Sequence, residues 1–418
     1  MNFELFIAKR IIAAKQYKST ISSPIIKIAV LAIAIGMVMM LVSVATSIGL
    51  QHKIQEKVAA FNGHVIISKY DNNRSNLSAN PIAIQQDFYP NFKTVSGVSH
   101  VQAVANKGGV IRTKTDFEGV NLKGVGADYD WQYFQEFLVS GKLPNVKGKK
   151  ENNELLISTY LAKRLGFKVN EKIVVHFPKQ DLNLLPNRRN FTIVGLYNSG
   201  FQDFDKTIIV GDIRHIQRMN KWQKAKNGNY TQVGNFEVFL NEFDTLEEKG
   251  AEIYEQTSSF LNVQTIAEKY YTIFEWIKIF DFNTYAIIAI MIFISVINMS
   301  VMLLVLILEK TKLIGVLKAL GSHNWSIRKI FLYNASYIVL IGLFWGNLIG
   351  LGLLFAQKYF KFFPLNPATY YVTEVPVYLN LWYIIALNVG TFVICFLLLL
   401  IPSAIITKIS PVKAIRFE

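Results

Sequence analysis

Four uncharged, mostly apolar segments constrain the fold of this chain more than any other feature of its sequence. They are residues 28–50, 285–308, 330–356 and 379–406. At about 1.5 Å of rise per residue, even the shortest would span roughly 34 Å as a helix, and the hydrocarbon core of a bilayer is about 30 Å thick. The sequence therefore predicts four membrane-spanning helices.

The chain has a net charge of +15, and many of its Lys and Arg residues cluster next to these four segments. Because Lys and Arg next to membrane spans collect on the cytoplasmic side, the basic clusters predict that both termini are cytoplasmic and argue against a nucleic-acid partner. The clusters are Lys9, Arg10, Lys15, Lys18 and Lys27; Lys310, Lys312, Lys318, Arg328 and Lys329; and Lys408, Lys413 and Arg416.

The predicted fold is an α-helical membrane protein with four transmembrane helices and a large mixed α/β extracytoplasmic domain inserted between helices 1 and 2. A cleaved signal peptide is the alternative for the first span, but its apolar stretch exceeds the usual core of about 7–15 residues. The predicted segments are a cytoplasmic N-terminal segment 1–27, span 28–50, external domain with helical stalks 51–273, stalk and second span 274–308, cytoplasmic coupling segment 309–329, span 330–356, external loop 357–378, span 379–406 and cytoplasmic tail 407–418.

Motifs for enzyme chemistry are missing from the sequence. It contains neither a phosphate-binding G-x-x-x-x-G-K-[ST] loop nor an H-E-x-x-H zinc motif, and its six histidines are scattered. The four apolar cores carry no charged residue, which disfavours a transporter driven by proton or ion relays. The single cysteine, Cys395, permits no internal disulfide. We therefore expect no catalytic residue, no metal and no cofactor, and energy supplied by a partner.

A short charged segment between the second and third spans predicts an amphipathic helix. In "EKTKLIGVLKALGSHNWSIRKIF", the residues Leu313, Ile314, Leu317 and Leu320 fall on one helical face. Gly321 is a natural helix stop. Two interpretations remain open from the pattern: a helix lying among lipid headgroups, or a coupling helix that docks into a groove of a cytoplasmic ATPase.

The motif "NMSVMLLVLILEKTKLIGVLKALGSHNWSIRKIFL" resembles the signature of permeases in the FtsX/MacB-type superfamily of ABC transporters, and "IPSAIITKISPVKAIRFE" is similar to their usual ending. "FIAKRIIAAKQ" and "YYVTEVPV" resemble, more narrowly, the lipoprotein-releasing permeases of the Lol type. This resemblance implies a transport subunit that contacts its ATPase through Glu309, Lys310, Leu313, Ile314, Gly315, Leu317, Lys318 and Gly321.

The Lol resemblance also implies a set of partners and a location. They are a cytoplasmic ABC ATPase dimer, a second permease copy or paralogue, an acylated lipoprotein substrate, a periplasmic lipoprotein carrier and the lipids of the bacterial inner membrane. Two alternatives stay open: a related efflux or peptide-export permease, and a cell-division-type regulator of a wall hydrolase. The regulator usually has a much smaller external domain.

Such a transporter needs an apolar cavity for acyl chains, and one broad face of the first span is our candidate for it. The face consists of Met40, Ser43, Val44, Ser47 and Leu50. Small serines beside a flexible methionine leave adaptable space, although the same face could simply pack against the partner's second span. In the third span, Gly342, Gly346 and Gly350 recur every four residues, and we expect them to pack on the fourth span.

A proline-bounded loop between two predicted strands is the candidate carrier site, because its position resembles the hook loop of one Lol permease type. Its candidate residues are Phe177, Leu182, Leu184, Leu185, Arg188 and Arg189. An apolar tip with basic neighbours suits a transient interface. The alternative is an ordinary hairpin whose leucines fold back on the domain.

Overall fold

The computed structural model describes residues 3–13, 22–70, 80–148, 150–179 and 184–409. The chain forms two compact units. The membrane unit consists of Met1–Gln51, Trp276–Pro364 and Glu374–Glu418, and the domain unit of His52–Glu275 and Leu365–Thr373.

Four helices of the described residues are long and apolar enough to cross a membrane, as the sequence predicts. These are α2, α9, α11 and α13, the last continued by a 3-10 turn at Ala404–Lys408. The helices that precede or follow residues 63–270 in the sequence are α1 Phe3–Ala13, α2 Ser22–Asn62, α9 Tyr271–Glu309, α10 Thr311–Ala319, α11 Asn324–Phe360, α12 Pro367–Tyr370 and α13 Leu381–Ser403.

The first spanning helix is longer than its predicted apolar segment. It continues to Asn62, which confirms the helical extension expected after residue 50. The helix stops there because Gly63 adopts a φ of +70° and donates its N–H to the carbonyl oxygen of Ala59 at 2.7 Å. Before the second span, α9 begins at Tyr271, so the stalk predicted from residue 274 is continuous with that span. The short helix α8, Ile266–Lys269, is separated from α9 by Tyr270.

The glycine stripe of α11 packs on α2, so the prediction that it packs on the fourth span is wrong. A Cβ atom added to Gly346 would lie 2.6 Å from the Cβ of Met37, and one added to Gly342 would lie 2.7 Å from the Cβ of Ile33. The physical reason is that close helix approach needs glycine opposite bulky side chains. The α11–α13 contact instead contains a pair of amides, in which Asn347 and Asn388 each donate to the other at 2.7 and 3.0 Å.

The domain unit is a mixed α/β structure built on one large sheet. The sheet order is β12-β1-β11-β3-β4-β9-β6-β8-β5, and β7 pairs with β3 and β8. Only the β4–β9 and β6–β8 pairs within this sheet are parallel. The strands are β1 Val65–Lys69, β2 Ile82–Ala83, β3 Val98–Arg112, β4 Phe117–Val125, β5 Leu138–Gly141, β6 Glu154–Ser158, β7 Lys172–Phe177, β8 Asn187–Tyr197, β9 Ile208–Asp212, β10 Gln232–Val233, β11 Asn235–Leu240 and β12 Leu261–Thr265.

Short helices cover this sheet, and a buried ion pair lies in its core. The helices are α3 Gln132–Phe137, α4 Thr159–Leu165, α5 Gln202–Thr207, α6 Arg214–Met219, α7 Leu246–Gln256 and α8. Lys123 of β4 and Glu237 of β11 meet at 2.7 Å with both side chains about 3% exposed. The Lys123 ammonium also donates to the carbonyl oxygen of Phe61, near the end of α2, at 2.6 Å. Burial lowers the pKa of Lys123, and the Glu237 carboxylate opposes this shift.

A segment from between the third and fourth spans, Leu365–Thr373, belongs to the domain unit. The ring of Tyr371 stacks on that of Phe201 with 4.5 Å between centroids and 17° between planes. Lys57 donates to the carbonyl oxygen of Tyr371 at 3.1 Å, and Val372 is buried. The domain is therefore completed by a piece of chain far from it in sequence.

Candidate functional site

The predicted amphipathic helix forms as α10 and stops where the sequence indicates. Gly321 adopts a φ of +88°, and its N–H bonds the carbonyl oxygen of Lys318 at 3.0 Å. The N–H of Ser322 bonds the carbonyl oxygen of Leu317, also at 3.0 Å. These bonds satisfy carbonyl groups that the helix end would otherwise leave open, which confirms Gly321 as the stop.

The apolar residues of α10 do not form a single exposed face. Ile314 and Leu317 are buried, with 0% and 8% exposure, in the core of the membrane unit, whereas Leu320 is 78% exposed. The apolar face predicted from Leu313, Ile314, Leu317 and Leu320 is therefore mostly covered by the protein itself, since Leu313 is also partly buried. The physical reason is that the apolar stripe of a short helix next to a bundle packs into that bundle.

The exposed apolar surface of the segment lies on Leu320 and on two residues outside the predicted face. Val316 is 47% exposed on the opposite side of α10, and Leu308 is 69% exposed at the end of α9. Together with Leu320 they form what we call the docking tip, next to the exposed Lys312. Val316 and Leu308 were not among the predicted residues, because the prediction followed the strongest apolar periodicity, and that periodicity marks the buried side of α10.

Lys318 points into the chain and caps the end of the fourth span. Its ammonium donates to the carbonyl oxygens of Ile406 and Ile409, both at 2.8 Å, and burial lowers its pKa. Arg328 bonds the same region, donating to Leu400 O at 2.8 Å and to Ser403 Oγ at 3.1 Å. Cations near a helix C-terminus satisfy its open carbonyls and its dipole.

The remaining residues predicted to contact the ATPase have mixed surroundings. Glu309 and Lys310 form an ion pair at 3.3 Å at the junction of α9 and α10. Gly315 is buried, and Leu313 is half-buried against the core of the membrane unit. Only some of the residues predicted to contact the ATPase are therefore exposed in the structure.

The candidate acyl-chain face of α2 divides between the core and the helix surface. Met40 is 1% exposed, with its sulfur 4.0 Å from Thr391 Oγ1 of α13, and Leu50 is also buried. Ser43 and Val44 are half-buried. Ser47 is buried, and its Oγ has no hydrogen-bond partner within the described chain. Met40 thus fills its own bundle, and Ser43 and Val44 are the residues of this face that keep partly exposed surface.

The serine side of α2 approaches α9 through small residues. A Cβ atom added to Gly36 would lie 3.2 Å from Ser295 Oγ, and Gln51 donates to Asp281 at 2.7 Å. Because Ser43 and Ser47 follow Gly36 at helical spacing, they lie on nearly the same side of α2. We refer to the side of α2 between these two contacts, which carries Ser43 and Ser47, as the α2–α9 seam.

The β7–β8 loop presents two leucines but not the whole predicted set. Leu184 and Leu185 are 52% and 85% exposed, whereas Phe177 is fully buried against Gly109, so Phe177 cannot contact a carrier. Arg188 is exposed. Arg189 is half-buried, and burial, with the nearby charge of Arg218, lowers its pKa. The remaining candidate, Leu182, lies outside the described residues.

The part of the chain that the structure describes contains no group of three His, Cys, Asp or Glu side chains able to hold a metal ion. Its buried charges are used within the protein. Arg214 bonds Asp212 through two nitrogens, at 2.8 and 2.5 Å, and His215 lies beside Glu151. Asp212 ends β9, and Arg214 and His215 lie on α6. Arg214 donates to the carbonyl oxygen of Gly148, and His215 bonds that of Asn152, so α6 holds the loop before β6.

Two family models cover most of the chain. The MacB-like periplasmic core domain matches residues 28–254, which is more than half of the sequence, and the FtsX-like permease C-terminal region matches residues 285–411. The solved extracellular domain of the noncanonic ABC-type transporter YknZ from Gram-positive bacteria aligns in full with 45% of this chain, at 15% identity and a TM-score of 0.28.

Curated relatives match over nearly the whole length. The chain is 20% identical to the lipoprotein-releasing system transmembrane protein LolC of Neisseria meningitidis serogroup B, over 100% of both chains. It is also 20% identical to LolC of Buchnera aphidicola subsp. Schizaphis graminum, over 94% of each chain. The ABC transporter permease YtrF of Bacillus subtilis is 27% identical over 39% of this chain and 37% of its own. The chain belongs to the permease family that joins a MacB-like periplasmic core domain to an FtsX-like permease region.

Proposed function

We propose that this chain is the permease subunit of an ABC transporter that extracts acylated lipoproteins from the inner membrane and passes them to a periplasmic carrier. The observation that carries the proposal is the full-length similarity to LolC of two organisms. A separate ATPase supplies the energy. Removing an acyl chain of about fifteen methylenes from lipid costs roughly 12 kcal/mol at about 0.8 kcal/mol per CH₂, so release needs a driven step.

The docking tip is the proposed ATPase contact. Val316 and Leu320 offer exposed apolar surface at the turn between the second and third spans, and Lys312 adds a charge beside it. An apolar anchor with a charged rim suits a protein interface. This arrangement replaces Ile314, Leu317 and Lys318 as direct contacts, because those side chains hold α10 to its own membrane unit.

The α2–α9 seam is the proposed site for acyl chains or for the linker that carries them. Its small residues permit either a ligand or a second helix to approach closely. Ser47 Oγ is a buried hydroxyl without a partner, so an ester or amide group of an acylated polypeptide could satisfy it. Photo-crosslinkers at Ser43 and Ser47 should capture lipoprotein without ATP and lose it with ATP.

Leu184 and Leu185 are the proposed carrier anchors, and Arg188 supplies a neighbouring charge. Two adjacent exposed leucines beside a charge suit a small, transient interface in which charge guides encounter. Replacing both leucines with Ser should weaken capture of the purified carrier and leave ATPase activity unchanged. Unchanged carrier binding would move the docking site elsewhere.

The transport assignment is tested with proteoliposomes that contain this chain, the candidate ATPase and any second permease. Fluorescent triacylated lipoprotein should move to added carrier in the presence of ATP, and a peptide lacking acyl chains should not. Export of that non-acylated peptide would favour the second candidate, another ABC-type permease, which the match to YtrF supports. Acyl-dependent release in a carrier-free mixture would overturn the handover step.

A further inference from the structure

The C-terminal end of α11 carries a dense cluster of exposed aromatic side chains. Tyr359 and Phe360 are each 78% exposed, and Phe362 and Phe363 follow at 48% and 62%. We call these four residues the aromatic turn. Exposed apolar patches of this kind mark interaction surfaces, because covering them stabilises a protein by about 25 cal/mol per Å².

The aromatic turn is held in a fixed geometry. Lys361 ends the helix with a φ of +51°, and its N–H bonds the carbonyl oxygen of Gln357 at 2.9 Å. The buried Gln357 side chain accepts from the N–H of Phe363 at 3.2 Å and donates to the carbonyl oxygen of Val375 at 3.1 Å. An ion pair joins Lys361 to Glu374 at 2.8 Å. The rings therefore face outward because the backbone places them there.

The position of the aromatic turn along the helix axes can be estimated from helix geometry. Asn347 and Asn388 bond each other, so they lie at the same height. From that height, Phe360 lies roughly 20 Å along α11 and Trp382 roughly 9 Å along α13, at about 1.5 Å per residue. The stretch from Trp382 to Ser403 is roughly 32 Å long, close to the hydrocarbon thickness of about 30 Å. The turn thus lies roughly 10 Å beyond Trp382, at the depth of the lipid headgroups.

We propose that the aromatic turn inserts into the headgroup layer of the membrane and anchors this end of the α11–α13 pair there. The exposed apolar surface of α11 continues to it through Leu348, Leu353 and Phe355, so the turn extends a lipid-facing surface. Aromatic rings prefer the membrane interface, and the exposed Lys358 can pair with lipid phosphate. The proposal requires only that α11 spans the membrane, and it is independent of the transported substrate.

Depth-dependent fluorescence quenching tests the proposal in the full chain. In a Cys395→Ser background, Phe360→Cys carries an environment-sensitive dye, and the protein is reconstituted into vesicles with nitroxides at the headgroup, at the upper acyl chain or near its end. Leu353→Cys is the deep control and Lys312→Cys the control at the opposite end of the spans. Phe363→Cys provides a second site if one labelled variant folds poorly.

The expected result is quenching at residue 360 that is about twofold stronger with the headgroup nitroxide than with the deep one, and the reverse order at residue 353. Aqueous iodide should quench the dye at residue 360 only weakly. Strong iodide quenching without lipid quenching would overturn the proposal. Protection from both quenchers that appears only at high protein-to-lipid ratio would also overturn it, because a second copy would then cover the turn.

Discussion

The ammonium group of Lys318 lies 2.8 Å from the carbonyl oxygen of Ile406, so the last turn of the helix between spans two and three holds the end of span four. The fourth span contains Pro402 near its end and passes into a 3-10 turn, which leaves carbonyl groups open. The lysine supplies the missing donors. A displacement of α10 by a partner would therefore reach the end of span four as well as spans two and three.

Lys318→Met should loosen the end of span four without altering the exposed docking tip. A hydrogen bond to a charged group is worth about 1.5–3 kcal/mol, so amides of Ala404–Lys408 should exchange about tenfold faster or more. Hydrogen exchange of the full chain in nanodiscs measures this. Lys312→Met on the same helix is the matched control, since Lys312 is exposed, and equal exchange in the two variants would contradict the capping role.

Leu317→Asp and Leu320→Asp should fail in different ways. The first places a charge in the core of the membrane unit and should reduce folded protein by destabilisation of several kcal/mol. The second changes a residue that is 78% exposed, so folding should persist while ATPase binding weakens about tenfold or more. Yield and thermal stability are measured beside ATPase pull-down. Normal ATPase binding by a folded Leu320→Asp protein would remove the docking tip from the proposal.

Gly346→Ala should be far more harmful than Gly352→Ala on the same helix. An added methyl at Gly346 meets Met37 at 2.6 Å and the carbonyl oxygen of Ala34 at 2.9 Å, whereas nothing lies within 4 Å of the corresponding position at Gly352. Overpacking of this kind costs about 1–3 kcal/mol. Thermal unfolding in detergent compares the two, and similar melting temperatures would argue against the tight α2–α11 contact.

The buried Lys123–Glu237 pair should behave as a unit. Lys123→Met leaves Glu237 buried without its cation and should destabilise the domain by about 3–5 kcal/mol. Adding Glu237→Met to that variant should recover most of the loss. Denaturant unfolding of the full chain, monitored by a probe in the domain, tests this. Lys53→Met is the control, because the Lys53–Glu56 pair is about half exposed and should contribute under 1 kcal/mol.

His64 should make the domain sensitive to acid. Burial lowers the pKa of His64 from 6.5 to about 4, and its Nδ1 accepts from the N–H of Leu240 at 3.1 Å. As the pH falls, His64 therefore takes up a proton in the unfolded chain at a higher pH than it does in the folded domain. Neutral His64 thus contributes roughly 3 kcal/mol to the free energy of unfolding above pH 6.5, and this contribution is lost as the pH falls toward 4. His64→Gln should flatten this part of the stability curve, whereas the exposed-site control His323→Gln should follow the wild type.

Long, strongly patterned elements could be predicted from the sequence because each depends on local composition. The four spans needed only uninterrupted apolar length, and Gly321 stopped α10 through its own backbone freedom. Strand β3 lacks such a local signal, because it contains Gly108 and Gly109 in succession and glycine is depleted in strands. Gly109 is required there by a distant residue, since a Cβ atom would lie 2.9 Å from the ring of Phe177.

The direction of side chains could not be predicted in the same way. Ile314 and Val316 are both apolar and close in sequence, yet one is buried and the other is 47% exposed, because the bundle covers only one side of α10. Likewise, the sequence alone does not distinguish the role of Lys318 from that of Lys312. Their different roles follow from the position of the carbonyl groups of the last span, which only the three-dimensional arrangement supplies.

The stacking of Tyr371 on Phe201 affects how this domain can be studied in isolation. A fragment cut from His52 to Glu275 would keep every strand of the sheet but would lose the segment that carries Tyr371 and Val372. The ring of Phe201 would then face water and form an exposed apolar patch that the intact protein does not have. Such a fragment used as bait would capture apolar proteins through a surface absent from the intact permease, whereas adding Leu365–Thr373 back through a short linker should remove that false binding.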